Sequence, residues 1–276
     1  MNLLQAILLG AIQGLTEFLP VSSSGHLVLF QHFFGIRQPE LFFDICLHAG
    51  TLLATILVFF QEIRSILITM VRIPALGRRA GGIRPLFETN EDVRVLVLII
   101  AGTIPTGILG LLFHEVADRL FSSLLLVGLM LIVTGTLLWV TRRLKTSGRP
   151  LSEMGLKDAL IVGFVQGLAI IPGISRSGST ICTALLLNID REVAGRYSFL
   201  LSIPAIAAAT IMGIESGLIE KSGASIAALT GGTLAAAVIG YLALKILLRI
   251  IKHGRFYMFS PYCWSVGILA LILSRL

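Results

Sequence analysis

A polar interruption occurs twice in this chain, each time inside an otherwise apolar stretch, about 150 residues apart. The first copy runs Gly10-Ala11-Ile12-Gln13-Gly14-Leu15-Thr16-Glu17-Phe18-Leu19-Pro20-Val21-Ser22-Ser23-Ser24-Gly25-His26. The second runs Gly163-Phe164-Val165-Gln166-Gly167-Leu168-Ala169-Ile170-Ile171-Pro172-Gly173-Ile174-Ser175-Arg176-Ser177-Gly178-Ser179. Gly-x-x-Gln-Gly-Leu aligns at an offset of 153, Pro20 with Pro172 at 152, and Ser24-Gly25 with Ser177-Gly178 at 153. Proline followed by a serine and glycine cluster ends one helix and opens another, so each copy predicts two half-length helices around a break. Broken backbone at membrane depth is tolerated only where protein or a water-filled cavity satisfies it. One such segment in each half points to a binding site near the bilayer midplane.

That reading requires a membrane protein, and the composition supplies one. The 276 residues are 55% hydrophobic and 13% charged, with a mean hydropathy of +0.92. A soluble domain is about one quarter charged. Long apolar runs at 41–60, 93–113, 123–141 and 225–248, with weaker ones at 197–215 and 257–274, approach the ~20 residues a hydrocarbon core requires. The interrupted segments 3–33 and 157–188 read as re-entrant hairpins. The fold class expected is an all-α polytopic membrane protein, with six transmembrane helices and two re-entrant hairpins in one domain. No basic n-region or A-x-A cleavage pattern opens the chain, and Glu17 interrupts the apolar run, so no signal peptide is expected. Cys46, Cys182 and Cys263 stand far apart in apolar segments, without metal or disulfide spacing, and read as small core residues.

The charges orient the layout. Seventeen of the 22 Lys and Arg residues fall in the segments 61–94, 142–157, 188–196 and 245–255, read as loops on one side. Only Arg37, Arg119, Lys221 and Arg275 fall on the other. This positive-inside bias puts both termini and the first hairpin outside, and the second hairpin on the cytoplasmic face. The net charge of +7 is then topological and needs no nucleic acid. The halves, about 1–141 and 157–276, become inverted repeats whose hairpins meet tip to tip. Gly102-Thr103 and Gly231-Gly232-Thr233 give a faint second echo of the repeat.

Gln13 and Glu17, four apart, share a helix face, and an ionisable residue at this depth marks a functional site. Gly10, Gly14, Gly163 and Gly167 would admit a closely packed helix. Ser22, Ser23, Ser24, Gly25 and His26 open the second half-helix, where unpaired N–H groups and the dipole suit phosphate. Ser175, Arg176, Ser177 and Gly178 repeat the arrangement and add a guanidinium, well matched to bidentate phosphate. Two facing anion cradles imply a doubly charged or larger anion, such as a pyrophosphate. The serines could instead only cap the turn, and Arg176 could only pair with Glu17. His26 or Glu17 can take a serine proton while the hydroxyl attacks phosphorus, or His26 can be the nucleophile or the acid. Glu17 with Gln13 offers a thin ligand set for a divalent cation, Mg or Ca. Asp44 and His48 read as a structural hydrogen-bond pair. His32, His114 and His253 read as interfacial residues, and Tyr257, Tyr262 and Trp264 as interface anchors.

With these motifs in hand, the chain resembles the undecaprenyl-pyrophosphate phosphatase, bacitracin-resistance family of bacterial membrane enzymes. The resemblance rests on Gln13 to His26 and Pro172 to Gly178, and covers essentially the whole length. It implies removal of the terminal phosphate of the C55 carrier lipid, return of the monophosphate to peptidoglycan synthesis, bacitracin resistance and divalent-cation dependence. It puts the (Glu/Gln)-x-x-x-Glu motif on Gln13 and Glu17, the serine-rich loop on Ser22 to Ser24 with His26, and the phosphate-binding arginine on Arg176. Ser23 is the expected nucleophile, and Gln166 joins the phosphate-binding set. Ile170 stands near where a repeated glutamate would fall, so the expected cavity is asymmetric. The expected partners are the polyprenyl diphosphate and membrane lipids, not nucleic acid, with a homodimer left open. A transporter or flippase of a phosphorylated lipid is the alternative, because broken inverted repeats are a transporter signature. An intramembrane protease fits poorly, because no lysine or aspartate partner is embedded near the serines.

Overall fold

A computed structural model describes residues 1–36, 41–114, 120, 123–144, 147–215 and 223–275. Of the charges in the topology reading, Arg37, Arg119, Lys145 and Lys221 lie outside the described residues. Those described are helical almost throughout, with one isolated bridge between Arg149 and Ile189. Among the described residues, five helices are long and apolar enough to cross a membrane, or six if one bent pair counts as a single span. Large side chains such as Leu111, Leu112, Leu234 and Val238 are exposed along them, as hydrocarbon-facing surfaces require.

Both interrupted segments fold as helix, break, helix. The first is α1 (Leu3–Phe18) and α2 (Ser23–Phe33). Asn2 and Gln5 form a reciprocal capping box at the start of α1. Leu19 leaves the helix at φ −59°, ψ 142°, the extended conformation that a following proline imposes. Ser22 then caps α2 with its side chain on the Gly25 amide. Among the described residues, six further helices follow, the last of which opens the second unit. They begin with α3 (Leu41–Val58), α4 (Phe60–Ala80) and α5 (Ile83–Thr89). After them come α6 (Glu91–His114), α7 (Leu124–Val140) and α8 (Leu156–Leu168). With α9 (Arg176–Leu186), α8 makes the second helix–break–helix, in which Ser175 caps α9 on the Gly178 amide. The chain closes with α10 (Arg191–Glu215), α11 (Ile226–Lys252) and α12 (Ser260–Leu273).

The two units are built into the molecule by matched contacts. α1 packs along α11, α8 along α6, and α7 along α12. Glycines make the first two crossings close. A Cβ on Gly10 would collide with the Gly232 carbonyl, and one on Gly163 with the Gly102 carbonyl. Gly102 and Gly232 are the glycines of the faint second echo, and each meets the opposite hairpin. At the α7–α12 crossing a Cβ on Gly128 would lie 2.9 Å from the Gly267 carbonyl, and one on Gly267 2.9 Å from that of Gly128. The breaks are pinned by the same pair of helices. Thr134 on α7 donates to the Gly173 carbonyl (2.9 Å) and accepts from the Ser175 amide (3.1 Å). Cys263 on α12 donates its thiol to the Pro20 carbonyl at 3.4 Å.

One stretch departs from the sequence reading. Segment 61–94, read as a loop, is helical over Phe60–Ala80 and Ile83–Thr89. α4 leaves α3 at 81°. Its arginines cancel its apolar residues in any averaged hydropathy, which hides the helix from a search for apolar runs.

Candidate active site

Glu17 is the hub. It lies in the last turn of α1, just before the Leu19–Pro20 break, and is buried. One turn earlier Gln13 donates its amide to Glu17 Oε2 at 2.9 Å, as the i, i+4 spacing allows. Across the break, the Ser23 hydroxyl donates to the same oxygen at 2.7 Å. From the other hairpin, Arg176 Nη2 donates to Glu17 Oε1 at 2.7 Å. Its guanidinium lies 5.8 Å from the ring centroid of Phe199, near enough for a cation–π contact. The hairpin tips touch elsewhere too, with the Ser177 hydroxyl 3.5 Å from the Leu19 carbonyl.

The structure therefore joins Gln13, Glu17, Ser23 and Arg176 in one hydrogen-bonded cluster, although Arg176 is 159 residues from Glu17. Ser22 has a left-handed backbone, φ 68°, unusual for a residue with a side chain. Its hydroxyl also meets that of Ser24 at 3.3 Å. Ser175 and Ser177 repeat that contact at 3.3 Å in the other hairpin. The Gly25 and Gly178 amides are taken by the caps, which leaves the other first-turn donors of each helix for a ligand.

Two expected participants sit apart from the cluster. Nδ1 of His26 is 2.8 Å from the Ser22 carbonyl, which only accepts, so Nδ1 carries the proton. Nε2 of His26 meets the Tyr262 hydroxyl at 2.8 Å, and the two rings lie nearly parallel, 5.7 Å apart. His26 thus faces Tyr262 and braces the strained Ser22 backbone, and Glu17 is the group that holds the Ser23 proton. Gln166, the counterpart of Gln13, donates instead to Thr106 (3.3 Å) and to the Leu201 carbonyl (3.2 Å).

Sequence reasoning missed three neighbours. His48 Nε2 lies 3.5 Å from Glu17 Oε2, while its Nδ1 donates to the main-chain carbonyl of Asp44 at 2.8 Å. The Asp44 carboxylate accepts from Gln31 at 2.7 Å, and the hydrogen bond expected between the i, i+4 residues runs through the Asp44 main chain. A histidine midway along an apolar helix was the available signal. For Tyr262 and Phe199 no sequence signal exists, because their contacts are set by tertiary packing.

Two buried polar atoms in the cluster have no partner among the described residues: Arg176 Nη1 and Gln13 Oε1. A buried donor left unmade is costly, and an oxyanion beside Arg176 would satisfy it. The donor set suits an anion better than a cation. Both Glu17 oxygens already accept hydrogen bonds, and a guanidinium lies 2.7 Å away. Mg and Ca require about six oxygen ligands or more, and no group of three His, Cys, Asp or Glu among the described residues is set to hold a metal. Glu17 and Gln13 alone are a thin ligand set, and a Mg or Ca ion held by them would complete its shell with water and diphosphate oxygens.

Comparison with known proteins extends over the same two hairpins. Residues 6–269 match the family model described as bacitracin resistance protein BacA. A protein of Desulfatibacillum aliphaticivorans named undecaprenyl-diphosphatase is 51% identical over 275 residues, 99% of each chain. One of the same name from Desulforapulum autotrophicum is 49% identical over 272 residues, covering 99% of this chain and 98% of its own. Another, from Halothermothrix orenii, is 44% identical over 278 residues, 99% of each. Likeness of this extent takes in both breaks and every helix that holds them, and the chain belongs to the family of the bacitracin resistance protein BacA.

Proposed function

We propose that this chain is an integral membrane phosphatase that cleaves undecaprenyl diphosphate to undecaprenyl phosphate and inorganic phosphate. It thereby recycles the carrier lipid for peptidoglycan synthesis and confers resistance to bacitracin. The observation that carries this reading is the shared carboxylate. Glu17 holds a serine hydroxyl on one oxygen and the arginine of the opposite hairpin on the other.

The chemistry follows from those contacts. An incoming terminal phosphate takes the guanidinium of Arg176, satisfying Nη1 and drawing Nη2 from Glu17. Freed of its counter-ion, Glu17 accepts the Ser23 proton on Oε2 as Oγ attacks the terminal phosphorus. The bridging P–O bond breaks and its electron pair leaves with undecaprenyl phosphate. Arg176 and the first-turn amides of α2 and α9 stabilise the charge spread over the phosphoryl oxygens. Glu17 passes the serine proton to the leaving oxygen of undecaprenyl phosphate and, a carboxylate again, takes one proton from the water that attacks the phosphoserine. Phosphate departs and Ser23 recovers its proton. Gln13 orients Glu17 throughout, and a divalent cation enters this reading only as a companion of the diphosphate.

In the same reading the helices form six spans with two re-entrant hairpins as inverted repeats, about 1–141 and 157–276. Support comes from the matched glycine crossings and the charge bias. The chain then resides in the bacterial cytoplasmic membrane, with the site open to the outer face and the prenyl tail entering sideways from the bilayer.

Purified protein mixed with undecaprenyl diphosphate should release inorganic phosphate, and Ser23→Ala should release essentially none. A colorimetric phosphate assay reads both. Movement of the lipid between leaflets without phosphate release would favour a flippase and overturn the phosphatase reading.

A further inference from the structure

α4 has three faces, and the phosphatase chemistry uses none of them. One face is packed on the protein: Ile66 and Thr69 are buried, and Asp92 accepts from Ser65 at 2.6 Å and from Thr69 at 3.0 Å. At 100° per residue, Leu67 and Val71 lie together on the opposite side, a stripe that ends at Arg78 in the last turn. They are 51% and 78% exposed. Arg72 and Arg79, seven apart, share the adjoining sector, and Arg64 stands between the two. A water-facing helix would not present this apolar stripe, and a transmembrane helix would not carry these charges. The 81° turn from α3 lays α4 across the direction of that helix, the pose of an interfacial segment.

Arg94, Arg149, Arg176 and Arg196 are each bonded to a carboxylate or a carbonyl of another segment. Among the described residues, Arg64, Arg72 and Arg79 meet no carboxylate. Their partner must combine negative charge with an apolar chain that covers Leu67 and Val71. We propose that α4 is an in-plane anchor that selects anionic phospholipids, with Arg64, Arg72 and Arg79 at the headgroups and Leu67 and Val71 in the acyl region. Long arginine side chains reach the headgroup level while their stems lie on apolar surface. Each contributes about fivefold to the preference for anionic over zwitterionic lipid.

The test uses the full chain with Val71→Cys carrying a small fluorophore, in nanodiscs of fixed phosphatidylglycerol and phosphatidylcholine content. Bromine, a contact quencher, is put on one lipid or the other. Cys182 and Cys263 are buried and Cys46 partly so, and labelling of the parent gives their background. The expected result is stronger quenching when phosphatidylglycerol carries the bromine, and equal quenching in Arg64→Gln/Arg72→Gln/Arg79→Gln. Phosphate release by that variant reports that it is folded. Equal quenching by both lipids in the parent overturns the proposal. So does no quenching by either, the outcome if a second copy or water covers this face.

Discussion

Replacing Arg176 by alanine should lower phosphate release from a polyprenyl diphosphate by about 10³-fold or more, the scale of removing an arginine from a phosphoryl-transfer site. Arg176 is the guanidinium on α9 that reaches Glu17, at 2.7 Å, and its Nη1 has no partner among the described residues. In the proposed mechanism it has two tasks: neutralising Glu17 before substrate arrives and gripping the phosphoryl oxygens afterwards. Arg176→Lys separates them. An ammonium keeps the charge but lacks the planar fork, so the lysine variant should hold Glu17 yet recover only part of the lost rate. Steady-state phosphate release measures the rate, and thermal unfolding in detergent confirms that both variants are folded. Near-normal turnover by Arg176→Ala would remove the arginine from the chemistry.

The second large effect belongs to Glu17→Gln. The amide cannot accept the Ser23 proton, and loss of a general base costs about 10²–10⁴-fold. It also strands the buried charge of Arg176, and breaking a buried ion pair from one side costs about 3–5 kcal/mol. The variant should thus be both slow and less stable. Adding Arg176→Gln removes the stranded charge, so Glu17→Gln/Arg176→Gln should regain stability while remaining inactive. If the double variant is no more stable than Glu17→Gln, the ion pair does not couple the hairpins as its 2.7 Å contact implies.

Both experiments probe a contact that the sequence nearly spelled out. Proline and serine–glycine clusters marked the breaks because they act locally: Leu19 is driven extended by Pro20, and Ser22 and Ser175 cap the helices they precede. The repeat offset also revealed the asymmetry, with Ile170 standing where Glu17 would recur. The consequence for Gln166 was not legible. Without a carboxylate one turn on, its amide bonds to Thr106 and Leu201. Nearness in sequence suggests His26 as a partner of Ser23. Tyr262, 236 residues away, holds its Nε2, and no local pattern encodes that. The glycine echo at Gly102 and Gly232 was weak as a motif but is strong as geometry, since each meets the opposite hairpin. α4 escaped because charge and apolar surface alternate around it.

The central claim is that Ser23, held by Glu17 and faced by Arg176, forms the bond to phosphorus. Acid-quenching the wild-type protein during turnover of a polyprenyl diphosphate, followed by peptide mapping, tests it directly. The prediction is one phosphoryl group on Ser23, absent from Ser23→Ala. Phosphate on His26, or sustained turnover by Ser23→Ala with no modified residue, would contradict it.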